Sequence, residues 1–521
     1  MSQYAVSGDS QYVRIAILGS GFAGLCMAIK LKQAGLTDFL ILERADAVGG
    51  TWRDNTYPGC ECDVPSHLYS YSFEPEPSWP RPFAAQRDIR AYIDRVADKY
   101  DLLPYVRFGH NVEECVYDED QCRWHVRTNA GAITADVVVA GFGGLSNPLI
   151  PDFPGLDRFQ GARFHSAQWD HNHDFSGERV AVIGSGASTI QFLPQIAPSS
   201  HHLTLFQRTP SWVMPKRNKP FTRLQRWLFR FMPFLRQFYR GQIFLGLEAA
   251  GMAFRRPGWM NMARRAGIRH IKQHIRDPEL QKLMTPHYTP GCKRILLSND
   301  FYPAIARENV SVTSSAIEEI REHSIVTADG CEHAVDTIVF GTGFDVANMG
   351  SRQRIVGRDG VVLGDLWEQG AEAYLGTMVA GFPNFFLLGG PNSGLGHNSI
   401  IFMLEGAVRQ TMMALEHMEK SGADSLEVKP EAQRRYNEEV QAKLATTVWA
   451  TGCESYYKHP TGKIIAIWPG SAASYRRATA KLRTGDLVLG ERKAHGGRAL
   501  PADTTTESST LAARVQESVG A

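Results

Sequence analysis

The chain lacks the features that mark several large protein classes. It has no run of about 18 uninterrupted apolar residues, so we expect no membrane span. Residues 1–12 are polar and lack the basic start and apolar core of a secretory signal. With 56 basic and 54 acidic residues the net charge is only +2, and nothing indicates a nucleic-acid partner.

The eight cysteines are scattered, and none of them forms a Cys-x-x-Cys pair. This spacing disfavours both a zinc site and a dithiol redox centre, and no metal centre is predicted. Cys60 and Cys62 are separated by one residue, which rarely suits a disulfide, so we expect two free thiols there. This cysteine usage fits a reducing cytoplasm best.

A length of 521 residues with 43% hydrophobic residues predicts two to four domains, each with a sizeable core. A strand at 13–18, a helix at 23–33 and a strand at 39–42 form a βαβ opening. The pattern restarts with a strand at 179–183, a helix at 188–196 and a strand at 203–206. The expected fold is therefore α/β, with two doubly wound Rossmann-like dinucleotide-binding domains.

The first βαβ opening carries a glycine-rich turn between strand and helix. Gly19, Gly21 and Gly24 permit a tight turn and close approach of the backbone to a pyrophosphate, which the helix N-terminus attracts. Glu43 ends the next strand, where an acid accepts hydrogen bonds from an adenosine ribose. The alternative is a glycine turn that only lets helix and strand pack.

The second opening contains Gly184, Gly186 and Ser188, with Thr189 where glycine or alanine is usual. The following strand ends at Arg208-Thr209 rather than at an acid. An arginine and a hydroxyl there would bind a 2′-phosphate, which favours NADPH over NADH.

Two dinucleotide sites in one chain suggest a redox reaction in which NADPH passes a hydride to FAD. The electrons would then go to a disulfide, an acceptor protein or O2, and the missing Cys-x-x-Cys argues against the disulfide.

Residues 221–282 differ from the rest, being rich in Arg, Phe, Met and Trp at helical spacing. They could form a basic helix on a membrane surface. We favour a helical insertion that buries its apolar stripe on the second domain and exposes its arginines. The tail from residue 502 is rich in Thr, Ser, Ala and Glu and is expected to be disordered.

Two longer patterns connect these parts to a known family. Residues 159–170 fit F-x-G-x-x-x-H-x-x-x-W-[PD], and residues 49–63 fit [AG]-G-x-W-x4-[FY]-P-[GM]-x3-D. The chain thereby resembles the type I Baeyer–Villiger monooxygenases over about residues 12–490. The matching positions are Phe159, Gly161, His165 and Trp169 in the first pattern, and Gly50, Trp52, Tyr57 and Asp63 in the second.

The resemblance implies conversion of a small-molecule ketone to an ester or lactone, with O2 and through a C4a-peroxyflavin. It implies that Arg294 is the active-site arginine, that Asp63 pairs with it, and that Lys293 joins Arg208 at the NADPH 2′-phosphate. A permanently charged guanidinium suits the anions of this reaction, whereas lysine could lose its proton.

The resemblance also implies a hinge role for the 159–169 pattern rather than acid–base catalysis by His165. Trp52 and Tyr57 would pack around the flavin, and Tyr456 stands where relatives tend to carry tryptophan. Alternatives are an N- or S-oxygenating flavin monooxygenase, and a flavoprotein that binds NADPH and docks a partner.

The expected FAD-binding domain comprises residues 1–146 and 345–495. The NADPH-binding domain would span 147–344, with the helical insertion at about 221–290 and a disordered tail at 496–521. The sequence indicates neither which ketone is used nor the oligomeric state.

Overall fold

The first βαβ unit lies at the centre of a mixed sheet in the computed structural model, which describes residues 11–346 and 353–493. The strand Gln11–Leu18 pairs in parallel with Phe39–Leu42 on one side and with Gly131–Ala140 on the other. The sheet order from one edge is Arg354–Val356, Val112–Asp118, Arg123–Thr128, Gly131–Ala140, Gln11–Leu18, Phe39–Leu42 and Val106–Arg107. An eighth strand, Phe385–Leu387, pairs with Gly131–Ala140.

The second βαβ unit forms a separate sheet of five parallel strands. Its order is Val310–Thr313, His202–Phe206, Arg179–Ile183, Thr337–Phe340 and Ala162–His165. The α/β prediction with two Rossmann-like units is confirmed. Three small sheets complete the strands: Val213–Met214 with Leu296–Leu297; Ile317–Ile320, Ser324–Thr327 and Glu332–Ala334; and Ser425–Val428 with Leu487–Gly490.

Apolar helices cover the sheets. Phe22–Gln33 buries nearly every residue because it lies between the first sheet and the long helix Ile400–Ser421, which ends in a left-handed Gly422. The predicted bounds of the first two helices, 23–33 and 188–196, agree with Phe22–Gln33 and Thr189–Ile196 within one residue. The remaining α-helices are Thr51–Asp54, Gln86–Lys99, Arg223–Phe231, Pro233–Gly251, Met260–His274, Pro278–Leu283, Phe301–Ile305, Leu363–Leu366, Pro430–Leu444 and Ala472–Ala478.

The insertion is helical, as predicted, but the expectation that its apolar stripe is buried on the second domain is wrong for its first two helices, whereas Met260–His274 does bury Gly267, His270 and Ile271 against that unit. Arg223–Phe231 buries only Phe229, and Pro233–Gly251 buries only Gly251. The insertion instead anchors through Phe254 and Met260, which join a core with Trp449 from the C-terminal part of the chain. Its apolar residues outnumber the inward-facing positions, so many of them are exposed.

The strands of the first sheet come from both ends of the chain, and those of the second come from residues 162–340. The domain boundaries themselves stay a prediction, and the predicted disordered tail at 496–521 lies outside the described residues. Among the described helices, none is long and apolar enough to cross a membrane.

Candidate active site

Asp63 and Arg294 meet although 231 residues separate them in the sequence. The Nε of Arg294 donates to Oδ2 of Asp63 at 2.5 Å, and Nη2 donates to Oδ1 at 2.7 Å. Both side chains are about one-quarter exposed, so part of the pair remains accessible to a ligand. Burial alone would raise the pKa of Asp63, but the guanidinium lowers it below its ordinary value. The charge of Asp63 in turn raises the pKa of Arg294.

Arg294 is positioned by the point where the helical insertion returns to the second unit. Two residues beyond it, Leu296 pairs with Val213 at the start of the insertion. Trp212 donates its indole N–H to the carbonyl of Tyr288 at 2.9 Å, which fixes the two ends of the insertion together. Arg294 therefore lies on a closed loop rather than on a free segment.

A disulfide joins Cys292, two residues before Arg294, to Cys453. The bond connects the arginine loop to the loop that carries Tyr456 and Tyr457. This pairing is not predictable from the sequence, because the two cysteines are 161 positions apart and share no motif. Cys60 and Cys62 are free thiols, as predicted.

Asp63 is held by a charged cluster that the sequence did not indicate. Lys216 is buried, and its Nζ lies 2.7 Å from Oε1 of Glu61 and donates to the carbonyl of Cys62 at 3.1 Å. Asn218 donates to the other carboxylate oxygen of Glu61 at 2.8 Å. Lys216 and Asn218, which lie just before the insertion, therefore hold the loop that ends at Asp63.

Tyr456 and Tyr457 lie near the Asp63–Arg294 pair, and their rings are 4.4 Å apart between centroids. Tyr457 is buried, whereas Tyr456 is 45% exposed. Both side chains are near enough to Arg294 to interact with it electrostatically. The position at which relatives tend to carry tryptophan is thus close to the Asp63–Arg294 pair.

The first glycine-rich turn forms the cradle that a dinucleotide needs. A Cβ at Gly24 would overlap the carbonyl of Gly19, so helix and strand pack closely only with glycine there. Gly21 precedes the helix without a side-chain cap, which leaves the N–H groups of the first turn to a ligand. Gly50, in a left-handed conformation, approaches Gly21 from the opposite side.

Glu43 is buried beneath this turn and is already fully hydrogen-bonded. Oε2 accepts from both the N–H and the hydroxyl of Ser20, and Oε1 accepts from the N–H of Ala45 and from Arg53. Burial raises its pKa, but these donors together lower it below its ordinary value. A ribose would have to replace one of these partners, since a carboxylate accepts about four hydrogen bonds.

Trp52 and Tyr57 are both buried, and each donates to a neighbouring side chain. The indole of Trp52 donates to the hydroxyl of Tyr69 at 3.0 Å. Tyr57 donates to Gln191 at 3.1 Å, and Gln191 also bonds the backbone N–H and carbonyl of Glu61. Gln191 belongs to the first helix of the second unit and fastens it to the loop of Asp63.

The second turn also has an uncapped helix N-terminus. Gly184 is left-handed, Gly186 follows, and Ser188 precedes the helix Thr189–Ile196 without capping it. Thr189 fills the place where a third glycine is usual. The structure accommodates it because Gly341 lies directly opposite, where a Cβ would collide with the threonine hydroxyl.

Arg208 and Lys293 form a cationic edge beside this turn. The neighbouring positive charge and burial together lower the pKa of Lys293, burial being the larger cause. Arg208 is 83% exposed and has only a distant carboxylate, Glu454, at 3.7 Å. Thr209 accepts a bond from Ser185 through its carbonyl, and its hydroxyl stands beside the arginine in the chain. These residues fit a bound anion, which would relieve their mutual repulsion.

Of the four residues of the 159–169 pattern, His165 ends the edge strand Ala162–His165, and Phe159, Gly161 and Trp169 flank this strand. His165 is fully buried, its Nδ1 accepts the N–H of Ala167, and its ring lies against Phe344. Gly161 packs on the ring of Phe159, and Trp169 contacts Phe192. In the described segments no group of three or more candidate metal ligands occurs.

Comparisons with known proteins agree with this arrangement. A family model described as pyridine nucleotide-disulphide oxidoreductase matches residues 16–232. A Baeyer–Villiger monooxygenase of Streptomyces coelicolor is 46% identical over 96% of this chain and 97% of its own length. Another, from Pseudomonas aeruginosa, is 46% identical over 92% of both chains.

Solved structures align over nearly the whole chain as well. A steroid monooxygenase bound to NADP has a TM-score of 0.82 and 31% identity, covering 92% of this chain and all of the other. A cyclohexanone monooxygenase of Rhodococcus bound to NADP⁺ has a TM-score of 0.84 and 28% identity, covering 93% of this chain and all of the other. Fold and site together define a two-dinucleotide flavoprotein oxygenase. The chain belongs to the Baeyer–Villiger monooxygenase family.

Proposed function

We propose that this protein converts a ketone to an ester or lactone with FAD, NADPH and O2. The observation that carries the proposal is the bidentate Asp63–Arg294 pair, which joins a loop that follows the first glycine-rich turn to the loop that returns from the helical insertion and remains partly exposed. A flavoprotein that only bound nucleotides would need the two glycine-rich turns but not this pair.

The residues present fit both cofactors. Gly19, Gly21, Gly24 and Gly50 would hold the FAD pyrophosphate, and Glu43 would bind its ribose after releasing the Ser20 hydroxyl. When bound, FAD and NADPH supply the two electrons with which one oxygen atom of O2 enters the ketone and the other becomes water. Trp52 and Tyr57 would shape the flavin pocket from their buried positions.

NADPH would lie on the second turn, with Gly184, Gly186 and Ser188 at its pyrophosphate. Arg208, Lys293 and the hydroxyl of Thr209 would hold the 2′-phosphate, because two cations side by side stabilise a dianion that NADH lacks. This arrangement supports NADPH as the physiological reductant.

Arg294 would stabilise the negative charge that develops on the ketone oxygen when the carbonyl is attacked. Its charge is permanent in this site, since the pKa of the guanidinium is raised by Asp63. Asp63 would be the positioning residue, because its two bonds fix the plane of the guanidinium and leave Nη1 for a ligand.

The domain boundaries near 146 and 344 and the hinge role of Phe159, Gly161, His165 and Trp169 are part of the proposal. The hinge role is supported by their place at the edge strand of the second sheet, where His165 and Phe159 are buried and make no hydrogen bond to Arg294 or Asp63. A cytoplasmic location stays a prediction, and the Cys292–Cys453 disulfide counts against it, because disulfides are rare in a reducing cytoplasm.

The proposal is tested by incubating the FAD-loaded protein with NADPH, O2 and matched panels of ketones and thioethers. Esters or lactones in stoichiometric amounts with NADPH consumed are the expected products. Sulfoxides as the sole organic products would favour an S-oxygenating enzyme instead. NADPH consumption that yields only hydrogen peroxide with every ketone would count against the proposal.

A further inference from the structure

The helical insertion exposes large apolar side chains on one face of each of its first two helices. On Pro233–Gly251, Phe234, Phe238 and Leu245 are 67%, 65% and 68% exposed and share one helix face. Leu224, Trp227 and Phe231 line one face of the preceding helix in the same way. Further exposed members are Met252, Trp259 and Met262. These nine residues, here called the insertion surface, form a clustered patch of the kind that marks an interaction site.

The segment that carries the insertion surface is also strongly cationic. Residues 221–276 contain eleven arginines and one lysine but one acid, although the whole chain is nearly neutral. Within the described part of the chain, ten of these cations are exposed and none of the ten forms an ion pair. They are Arg223, Arg226, Arg230, Arg255, Arg256, Arg264, Arg265, Arg269, Lys272 and Arg276. Most arginines elsewhere on the molecule have a carboxylate partner, for example Arg14, Arg53 and Arg179.

The single acid of the segment, Glu248, is turned inward. It bonds the side chains of His397 and Asn398 and the N–H of Ala472, and these donors lower its pKa to about 2 despite burial. No carboxylate of the segment is therefore left on its outer face to neutralise the arginines.

We propose that the insertion surface binds the face of a lipid bilayer that carries anionic headgroups. Helices that lie in the interface of a membrane carry Trp, Phe and Leu on one face, with arginines beside them. A second copy of the chain fits poorly, because a twofold dimer through this surface would place two strongly positive faces together. The surface lies on the outside of the active-site wall, since Phe254 stacks on Trp449 and contacts Gly291.

The test is flotation of the full-length FAD-loaded protein with vesicles of phosphatidylcholine, alone or with about one-third phosphatidylglycerol. We expect binding to the anionic vesicles that is at least tenfold stronger and is largely lost in about 1 M NaCl. The double variant Trp227→Gln/Phe234→Gln should bind about tenfold more weakly. Arg226→Gln and Arg265→Gln should each weaken binding about fivefold.

The control is Val361→Gln/Leu366→Gln, which replaces two exposed apolar residues outside the insertion, at 41% and 46% exposure. It should bind vesicles like the parent, and all variants should retain FAD and the parent's melting temperature. Equal binding to neutral and anionic vesicles, or equal loss in the control, would overturn the proposal. So would a dimer in sedimentation analysis that Trp227→Gln/Phe234→Gln abolishes, since a second copy would then cover the surface.

Discussion

In the proposed mechanism Arg294 supplies the positive charge and Asp63 fixes its orientation. Arg294→Ala removes the only donor of the pair, and we expect ester formation to fall by about 10²–10³ or more. Arg294→Lys keeps a charge but not the two-point contact, so its activity should be intermediate. Product formation is measured by gas chromatography, with the flavin spectrum as the control for cofactor binding. Near-parental ester formation by Arg294→Ala would show that another group stabilises the anion.

We expect Arg208 to strengthen NADPH binding and Glu454 to weaken it. Arg208→Ala should raise the KM for NADPH about tenfold and leave that for NADH nearly unchanged, because only NADPH has the 2′-phosphate. Glu454→Gln removes the carboxylate 3.7 Å from the guanidinium and should lower the KM for NADPH a fewfold. Steady-state kinetics with both nucleotides measure this. An equal rise of both KM values in Arg208→Ala would place the 2′-phosphate elsewhere.

At the scale of single residues, the sequence predicts the residues that belong to local motifs but not the residues that contact them. The glycines, Glu43 and Arg208 follow from their positions at strand ends. Asp63 and Arg294 came from family resemblance, since nothing local connects two residues so far apart. The support from Lys216 and Gln191 was missed, because a buried lysine and a helical glutamine carry no motif.

At the scale of the elements, the Cys292–Cys453 disulfide joins two loops that carry residues of the proposed cofactor and substrate sites. Cys453→Ser should loosen the loop of Glu454 and Tyr456 without removing any group from the site. We expect a lower melting temperature and a severalfold higher KM for NADPH, with a smaller effect on FAD binding. A dithiol reductant should have the same effect on the parent protein and none on the variant. Unchanged kinetics under both treatments would mean that the loops keep their places without the bond.

The edge strand that ends at His165 gives a pH prediction. Burial lowers the pKa of His165 from 6.5 to about 4 in the folded protein. Below pH 6.5 the unfolded chain therefore binds a proton that the folded chain refuses, and stability falls as the pH falls toward 4. The contribution reaches about 3 kcal/mol at pH 4. Melting temperatures of the parent should drop more steeply below pH 6.5 than those of His165→Gln.

His67, whose pKa is lowered to about 3 by burial, acts in the same direction, so the variant should reduce the slope without abolishing it. Parallel melting curves for parent and His165→Gln would show that His165 accepts a proton in the folded state. A buried neutral histidine is consistent with the proposed hinge role and not with acid–base catalysis near neutral pH.

The periodic elements could be predicted well because strand and helix patterns are local. The strand predicted at 179–183 has the observed bounds Arg179–Ile183, and the first helix differs by one residue. The insertion could be predicted as helical but not as exposed. Helical spacing defines a stripe, whereas only the tertiary structure shows whether anything covers it.

For the whole molecule, the fold brings Asp63, which follows the first glycine-rich turn, to Arg294, which follows the second. In the proposed reaction one oxygen atom of O2 enters a ketone, NADPH supplies the electrons, and Arg294 is needed. This reaction needs the whole folded molecule, because Asp63 and Arg294 come from segments that are 231 positions apart.

Mass spectrometry of the product formed under ¹⁸O2 tests that account most directly. The FAD-loaded protein, NADPH and an accepted ketone should give an ester in which one new oxygen is ¹⁸O, at a yield equal to the NADPH consumed. The Arg294→Ala variant, with its flavin bound, should give almost none. An ester without the label, or oxidation of NADPH with hydrogen peroxide as the only product, would contradict the assignment of the Asp63–Arg294 pair to an oxygen-insertion site.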